Sequence, residues 1–201
     1  LEKIDAHPAP IYKIKVGSED DLEKLKAIRQ HTQAIIRVDA NAGWSFEQAL
    51  EILPVLEQLS IELIEQPLAK EDLEGAKILK EATSIPIIAD ESCVGERDVE
   101  KCDGFFSGIN IKLTKCSGIT PALDMIKKAR LLNLQVMLGC MNESSIGTAA
   151  LAHLAPLVDF LDADGPLLLK DDLGAGISFA DYQLKPSMLP GLGVTPLMEK
   201  L

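Results

Sequence analysis

Short apolar runs recur along this chain, separated by longer segments in which apolar residues return every three or four positions. The runs are Ile11–Val16, Ile35–Asp39, Ile61–Glu65, Ile85–Asp90, Ile109–Lys112, Val136–Cys140 and Phe160–Asp164. Their length and composition predict strands buried on both faces. The intervening spacing predicts helices: Leu22, Leu25 and Ile28; Ala49, Leu53 and Leu56; Leu73, Ala76 and Leu79; Ile119, Leu123, Ile126 and Arg130. Ser18 with Asp21, and Ser45 with Gln48, have the spacing of helix N-terminal caps. Pro54 lies inside the second helical pattern and is expected to kink or shorten it. The stretch Glu96–Cys102 predicts one turn at most.

Alternating strands and helices mean parallel strands joined by right-handed crossovers, either as an open doubly wound sheet or as a closed barrel. Charged residues at the strand ends decide between them. Lys15, Asp39, Glu65, Asp90 and Lys112 close successive runs at intervals of 24, 26, 25 and 22 residues, and Asp162 and Asp164 close the last. An open sheet gathers its functional groups at one crevice, whereas a barrel draws one from every strand onto one rim. The expected fold is therefore α/β, a (β/α) TIM-like barrel with seven strands visible. Residues 1–165 form the barrel and residues 166–201 a C-terminal tail packed on it.

The identity of the rim residues suggests their chemistry. Asp39, Glu65 and Asp90, crowded together, should repel one another and be harder to ionise. A hard cation such as Mg²⁺ relieves that repulsion and leaves coordination positions for substrate. A single acid after a strand ordinarily caps the next helix; three in register, flanked by lysines, ask for more. Lys13 and Lys15 are two apart on a strand and point to the same, inner face. Buried ammoniums are costly unless paired. Lys15 on one side and Lys112 four strands on could remove a proton on one face of a substrate and return it on the other.

Composition narrows the partners. A formal net charge of -11 argues against nucleic acid or an anionic membrane surface as the main partner. No apolar run approaches a membrane span, and the opening residues lack a signal-peptide pattern. Cys93, Cys102, Cys116 and Cys140 are scattered, which predicts free thiols and a cytoplasmic location. Trp44 is expected to pack beneath a loop, His31 to be solvated, and Glu91 to support Asp90 from behind.

The ordered set Lys-x-Lys (Lys13, Lys15), Val-Asp-Ala-Asn (Val38–Asn41), Ile-Glu-Gln-Pro (Ile64–Pro67), Ala-Asp-Glu-Ser (Ala89–Ser92) and Asn-Ile-Lys (Asn110–Lys112) resembles the muconate-lactonising branch of the enolase superfamily. The resemblance implies one Mg²⁺ on Asp39, Glu65 and Asp90, acid/base roles for Lys15 and Lys112, and a supporting role for Lys13 at the substrate carboxylate. It implies removal of a proton next to that carboxylate, through an enediolate. Asp162-Ala163-Asp164 is similar to the Asp-x-Asp of dipeptide epimerases, where the pair holds the substrate's ammonium. The segment Gly139–Ser145 is expected to line the pocket.

A Mg²⁺-dependent epimerase of dipeptides is the reading that follows. Muconate-type cycloisomerase, o-succinylbenzoate synthase and N-acylamino-acid racemase share the lysines and metal ligands and differ at Asp162 and Asp164. In this family a capping domain and a first strand precede the Lys-x-Lys strand, and neither is found here. The expectation is an incomplete barrel, poorly active alone or inactive, whose open edge offers a place for association with another copy or a larger assembly.

Overall fold

The computed structural model describes residues 1–18, 20–180 and 182–197. Of the tail expected over 166–201, Asp181 and residues 198–201 lie outside the described residues. Seven strands follow chain order in one sheet: β1 (Ile11–Lys15), β2 (Ile35–Asp39), β3 (Ile61–Glu65), β4 (Ile87–Ala89), β5 (Gly108–Lys112), β6 (Gln135–Gly139) and β7 (Phe160–Asp162). The helices are α1 (Glu2–Ala6), α2 (Asp21–His31), α3 (Phe46–Gln58), α4 (Leu73–Ala82), α5 (Glu96–Cys102), α6 (Leu113–Cys116), α7 (Ile119–Leu131) and α8 (Ser145–Leu154). The repeating parallel βα order of an incomplete (β/α) barrel is thus present.

The chain divides into two compact units, one of residues 1–93 and 100–109, the other of residues 94–99 and 110–201. In the first, β1 to β4 and the start of β5 pair in parallel, with Lys15 opposite Asp39 and Asp39 opposite Glu65. The core is built from Leu25, Ile36, Val38, Leu56, Leu63, Ile64, Leu79, Ile87, Ile88 and Phe106, all buried. Between Ile36 and Val38 the register of β3 against β2 slips, since Ile36 faces Ile61 and Val38 faces Ile64. This extra residue is a bulge, and Arg37 there meets Glu62 across the strands at 2.5 Å.

In the second unit β6 pairs in parallel with β7, and α7 and α8 bury Met125, Ala129, Ala149 and Leu151. Beyond a 3-10 turn at Gly165–Leu168, two small antiparallel ribbons follow: β8 (Gly174–Ala175) with β11 (Thr195–Pro196), and β9 (Ile177–Ala180) with β10 (Gln183–Pro186). They pack against α8.

Several expectations are corrected. α3 runs through Pro54 for its full 13 residues, so the proline does not shorten it. The Ser45–Gln48 capping box is complete in both directions and fixes where that helix starts. Ser18 does not cap α2; instead the Asp21 carboxylate accepts from the Gly17 and Ser18 amides and anchors the preceding loop. Glu96–Cys102 forms a seven-residue helix, two turns where one was expected. β1 has no fully buried residue and β7 is only half-buried, so neither is covered on both faces as its apolar run predicted. His31 is exposed, as expected, and its Nε2 also lies 2.6 Å from Asp5 on the unanticipated α1.

Candidate functional site

In the first unit the strand ends do converge. Lys15, Asp39 and Glu65 are the last residues of β1, β2 and β3, and Asp90 directly follows β4. Parallel pairing in register brings Lys15 Nζ to 2.5 Å from Asp39 Oδ2. Lys13, one pleat back on the same face, places its Nζ 3.3 Å from Asp39 and 2.8 Å from Glu65. The carboxylates of Asp39 and Glu65 are fully buried, whereas the Lys15 side chain is 63% exposed.

The two acids respond to this setting in opposite directions. Burial alone would push Asp39 up, but the charge of Lys13, the hydrogen bond and charge of Lys15 and the Asn41 amide hold it below its usual value. Repulsion among the three acids was expected to raise every one of them; for Asp39 the two lysines win. Glu65 does go up, from burial first, opposed by Lys13 and reinforced by the charges of Asp39 and Asp90. Glu65 is thus held up by its burial, which Lys13 does not fully offset.

That buried, incompletely offset carboxylate is the test of fit for a metal. The donors are hard carboxylate oxygens from three adjacent strands, Asp90 being buried as well, and an added divalent cation would relieve what keeps Glu65 from ionising. The residues fit Mg²⁺. They are held by their loops: the Asn41 amide donates to Asp39, and Asn41 Oδ1 accepts from Lys15. Asn41 Nδ2 in turn donates to Glu91 at 3.4 Å, so Glu91 reaches the lysine through Asn41. Gly17 and Gly43, in the loops after β1 and β2, touch backbone to backbone. A Cβ on Gly43 would stand 2.7 Å from the Ala40 carbonyl and 3.0 Å from the Gly17 Cα. Trp44 is buried with its Nε1 on Asp21, as a packing role requires.

The second unit carries the rest. Lys112 is buried at the end of β5, in a strand with all five residues buried. Two residues earlier, the fully buried Asn110 fills the space a Cβ on Gly139 would need, 2.6 Å from its Oδ1. This is why β6 ends in glycine. Cys140, Asp162 and Asp164 place one ligand atom each within 4.8 Å of one another, the group among the described residues that gathers so tightly. Cys140 Sγ lies 3.6 Å from Asp164 Oδ1. Burial, with the charges of Asp162, Asp164 and Glu143, pushes its thiol up to about 12. A thiol held protonated is a poor metal ligand, because the thiolate is the ligating form. Two carboxylates beside it suit an ammonium instead.

Sequence reasoning named the acids and lysines but missed Asn41, Gln66, Asp21 and Cys140 as parts of their support. Both Asn41 and Gln66 stood in the quoted motifs, which was the available signal, though Gln66 serves Asp90 from 24 residues away. The four cysteines are thiols and not disulfides, as expected.

Residues 2–200 match the family model for enolase C-terminal domain-like proteins. Over 97% of its length the chain is 48% identical to an L-Ala-D/L-amino acid epimerase of Maribacter sp., and it covers 58% of that protein. A substrate-liganded L-Ala-D/L-Glu epimerase from Bacillus subtilis superposes with a TM-score of 0.91 at 34% identity, over 97% of this chain and 58% of that one. The dipeptide epimerase of Cytophaga hutchinsonii, complexed with Mg and the dipeptide D-Ala-L-Val, gives 0.90 at 33% identity, over 96% of this chain and 56% of that one. The chain therefore spans somewhat more than half the length of these relatives.

Proposed function

The chain belongs to the enolase C-terminal domain-like family, and from that premise we propose that it carries the metal-binding and acid/base residues of a dipeptide epimerase. Asp39, Glu65 and Asp90 would hold Mg²⁺, which when bound supplies positive charge to a substrate carboxylate and so eases loss of the neighbouring proton. Lys15 and Lys112 exchange that proton with the α-carbon of the C-terminal residue, each acting as base in one direction and acid in the other. Lys13 neutralises Asp39 and Glu65 and supports the carboxylate end. Asp162 and Asp164 receive the N-terminal ammonium, and Cys140 stays protonated beside them.

The observation that carries this reading is the tight grouping of Asp162 and Asp164 with Cys140. It distinguishes a substrate with a free ammonium from the N-acylated or unsaturated acids that related chemistry handles. The test is incubation of the 201-residue chain with L-Ala-L-X dipeptides and Mg²⁺ in deuterated water, followed by NMR. We expect Mg²⁺-dependent dipeptide binding, weakened about tenfold in Asp162→Asn, and slow α-deuteration of the C-terminal residue, lost in that variant. Exchange confined to N-acetyl amino acids would remove the dipeptide assignment. Neither exchange nor Mg²⁺-dependent binding would remove the enzyme reading for this chain.

A further inference from the structure

The end of β3 carries a second buried polar side chain directly after Glu65. Gln66 is 1% exposed, has a left-handed φ of 36°, and makes four side-chain hydrogen bonds. Its Oε1 accepts from the Asp90 amide at 2.9 Å and from the Ser92 amide at 3.1 Å. Its Nε2 donates to the Leu68 carbonyl at 2.8 Å and to Ser92 Oγ at 2.9 Å. The main chain adds two more links. The Gln66 amide donates to the Ile88 carbonyl, and its carbonyl accepts from the Ala42 amide, both at 2.8 Å. One residue therefore ties together the loops that follow Asp39, Glu65 and Asp90.

Resting on the metal reading above, we infer that Gln66 is a positioning residue, setting the spacing of the three carboxylates and through it the affinity for the divalent ion. The physical case is that buried amides left without a partner are costly, so the Asp90 and Ser92 amides hold to Oε1. The left-handed backbone aims that side chain along the sheet edge toward β4, away from the alternating strand direction. A glutamine is the right length to reach across one inter-strand spacing and offers both an acceptor and donors. Groups that orient metal ligands in this way typically change affinity 10- to 100-fold when removed.

The test measures Mn²⁺ binding to the intact 201-residue chain by calorimetry and by the EPR line shape of the bound ion. Gln66→Met keeps length and burial and deletes all four bonds. It should weaken Mn²⁺ binding about tenfold or more and alter the line shape. Ser45→Ala, which removes the cap of α3, is the structural control. It should lower the melting temperature by about 2–4 °C and leave the affinity within twofold. Asp90→Asn reports on the metal reading itself and should abolish tight binding. If wild type fails to bind, or Asp90→Asn binds as well as wild type, the metal reading falls and this inference with it. If Asp90→Asn loses binding while Gln66→Met keeps both affinity and line shape, the inference alone is wrong. Should Gln66→Met lack a cooperative melt, Ser92→Ala decides. Severalfold weaker binding supports the positioning role, and unchanged binding overturns it.

Discussion

In the first unit Asp39 and Glu65 are fully buried against the ammoniums of Lys13 and Lys15. In the second, Asp162 is half-buried and Asp164 exposed, beside a thiol. Both are carboxylate groups at the ends of parallel strands, yet they are built for different guests. The first is compensated internally and made rigid by loops that bond to one another. The second lies nearer solvent, where a cation arriving with the substrate can reach it. Burial, more than residue type, separates a structural charge from a receptive one.

The largest blow to that contrast should come from Lys13→Met, which leaves two buried carboxylates with one ammonium. We expect a loss of about 3–5 kcal/mol in denaturant-induced unfolding without divalent ions, with partial recovery on adding Mg²⁺. A loss under about 1 kcal/mol would mean that the first cluster is no more demanding than a surface pair. Next comes the thiol. A Cys140 pushed up to about 12 should alkylate at pH 8 roughly a hundredfold or more slowly than a free cysteine. Its rate should climb toward high pH, and Asp164→Asn should speed it. Rapid alkylation at pH 8 would show the second group to be less negative than its geometry implies.

A smaller effect is expected at the substrate end. Asp162→Asn and Asp164→Asn should each weaken dipeptide binding about tenfold, ~1.4 kcal/mol, while leaving Mg²⁺ affinity within twofold. Equal losses of both would merge the two clusters into one functional unit. The mildest test is pH. Glu65 is held above its usual value near 4.5. Its contribution to stability is therefore fully present below that value and is lost as pH rises through the folded-state value. Bound Mg²⁺ should restore it. At tenfold excess over its dissociation constant the ion should add ~1.4 kcal/mol at pH 7.5, a thermal shift of a few degrees that disappears near pH 4.5. Asp39, held below its usual 3.8, has the opposite sign: its contribution is present above that value and is lost only as pH falls below it.

Much of this was legible from periodicity. Lys15, Asp39, Glu65, Lys112 and Asp162 are each the last residue of a strand, because a buried parallel strand is apolar until the chain reaches the rim. The capping box at Ser45 was equally plain, since its partners are three residues apart. What escaped were links between distant segments with no period to announce them. Asp21 holds Trp44 from 23 residues away, and Gln66 holds Ser92 from 26 away. The bulge beside the Arg37–Glu62 pair is a single extra residue, which nothing in the spacing of either run announces. The direction of Asp39's shift was misjudged because like-charge repulsion was weighed without the distances to the two lysines.

Lys15 leaves one more consequence. Its partner Asp39 is wholly enclosed, while its own four-carbon stem is mostly in solvent. Exposed side chains change rotamer in picoseconds to nanoseconds, far faster than loops or domains move. The amine can therefore leave its anchor, meet another group and come back while the backbone stays still. Whatever sets the pace of events at this rim, the swing of that one stem is too quick to be it.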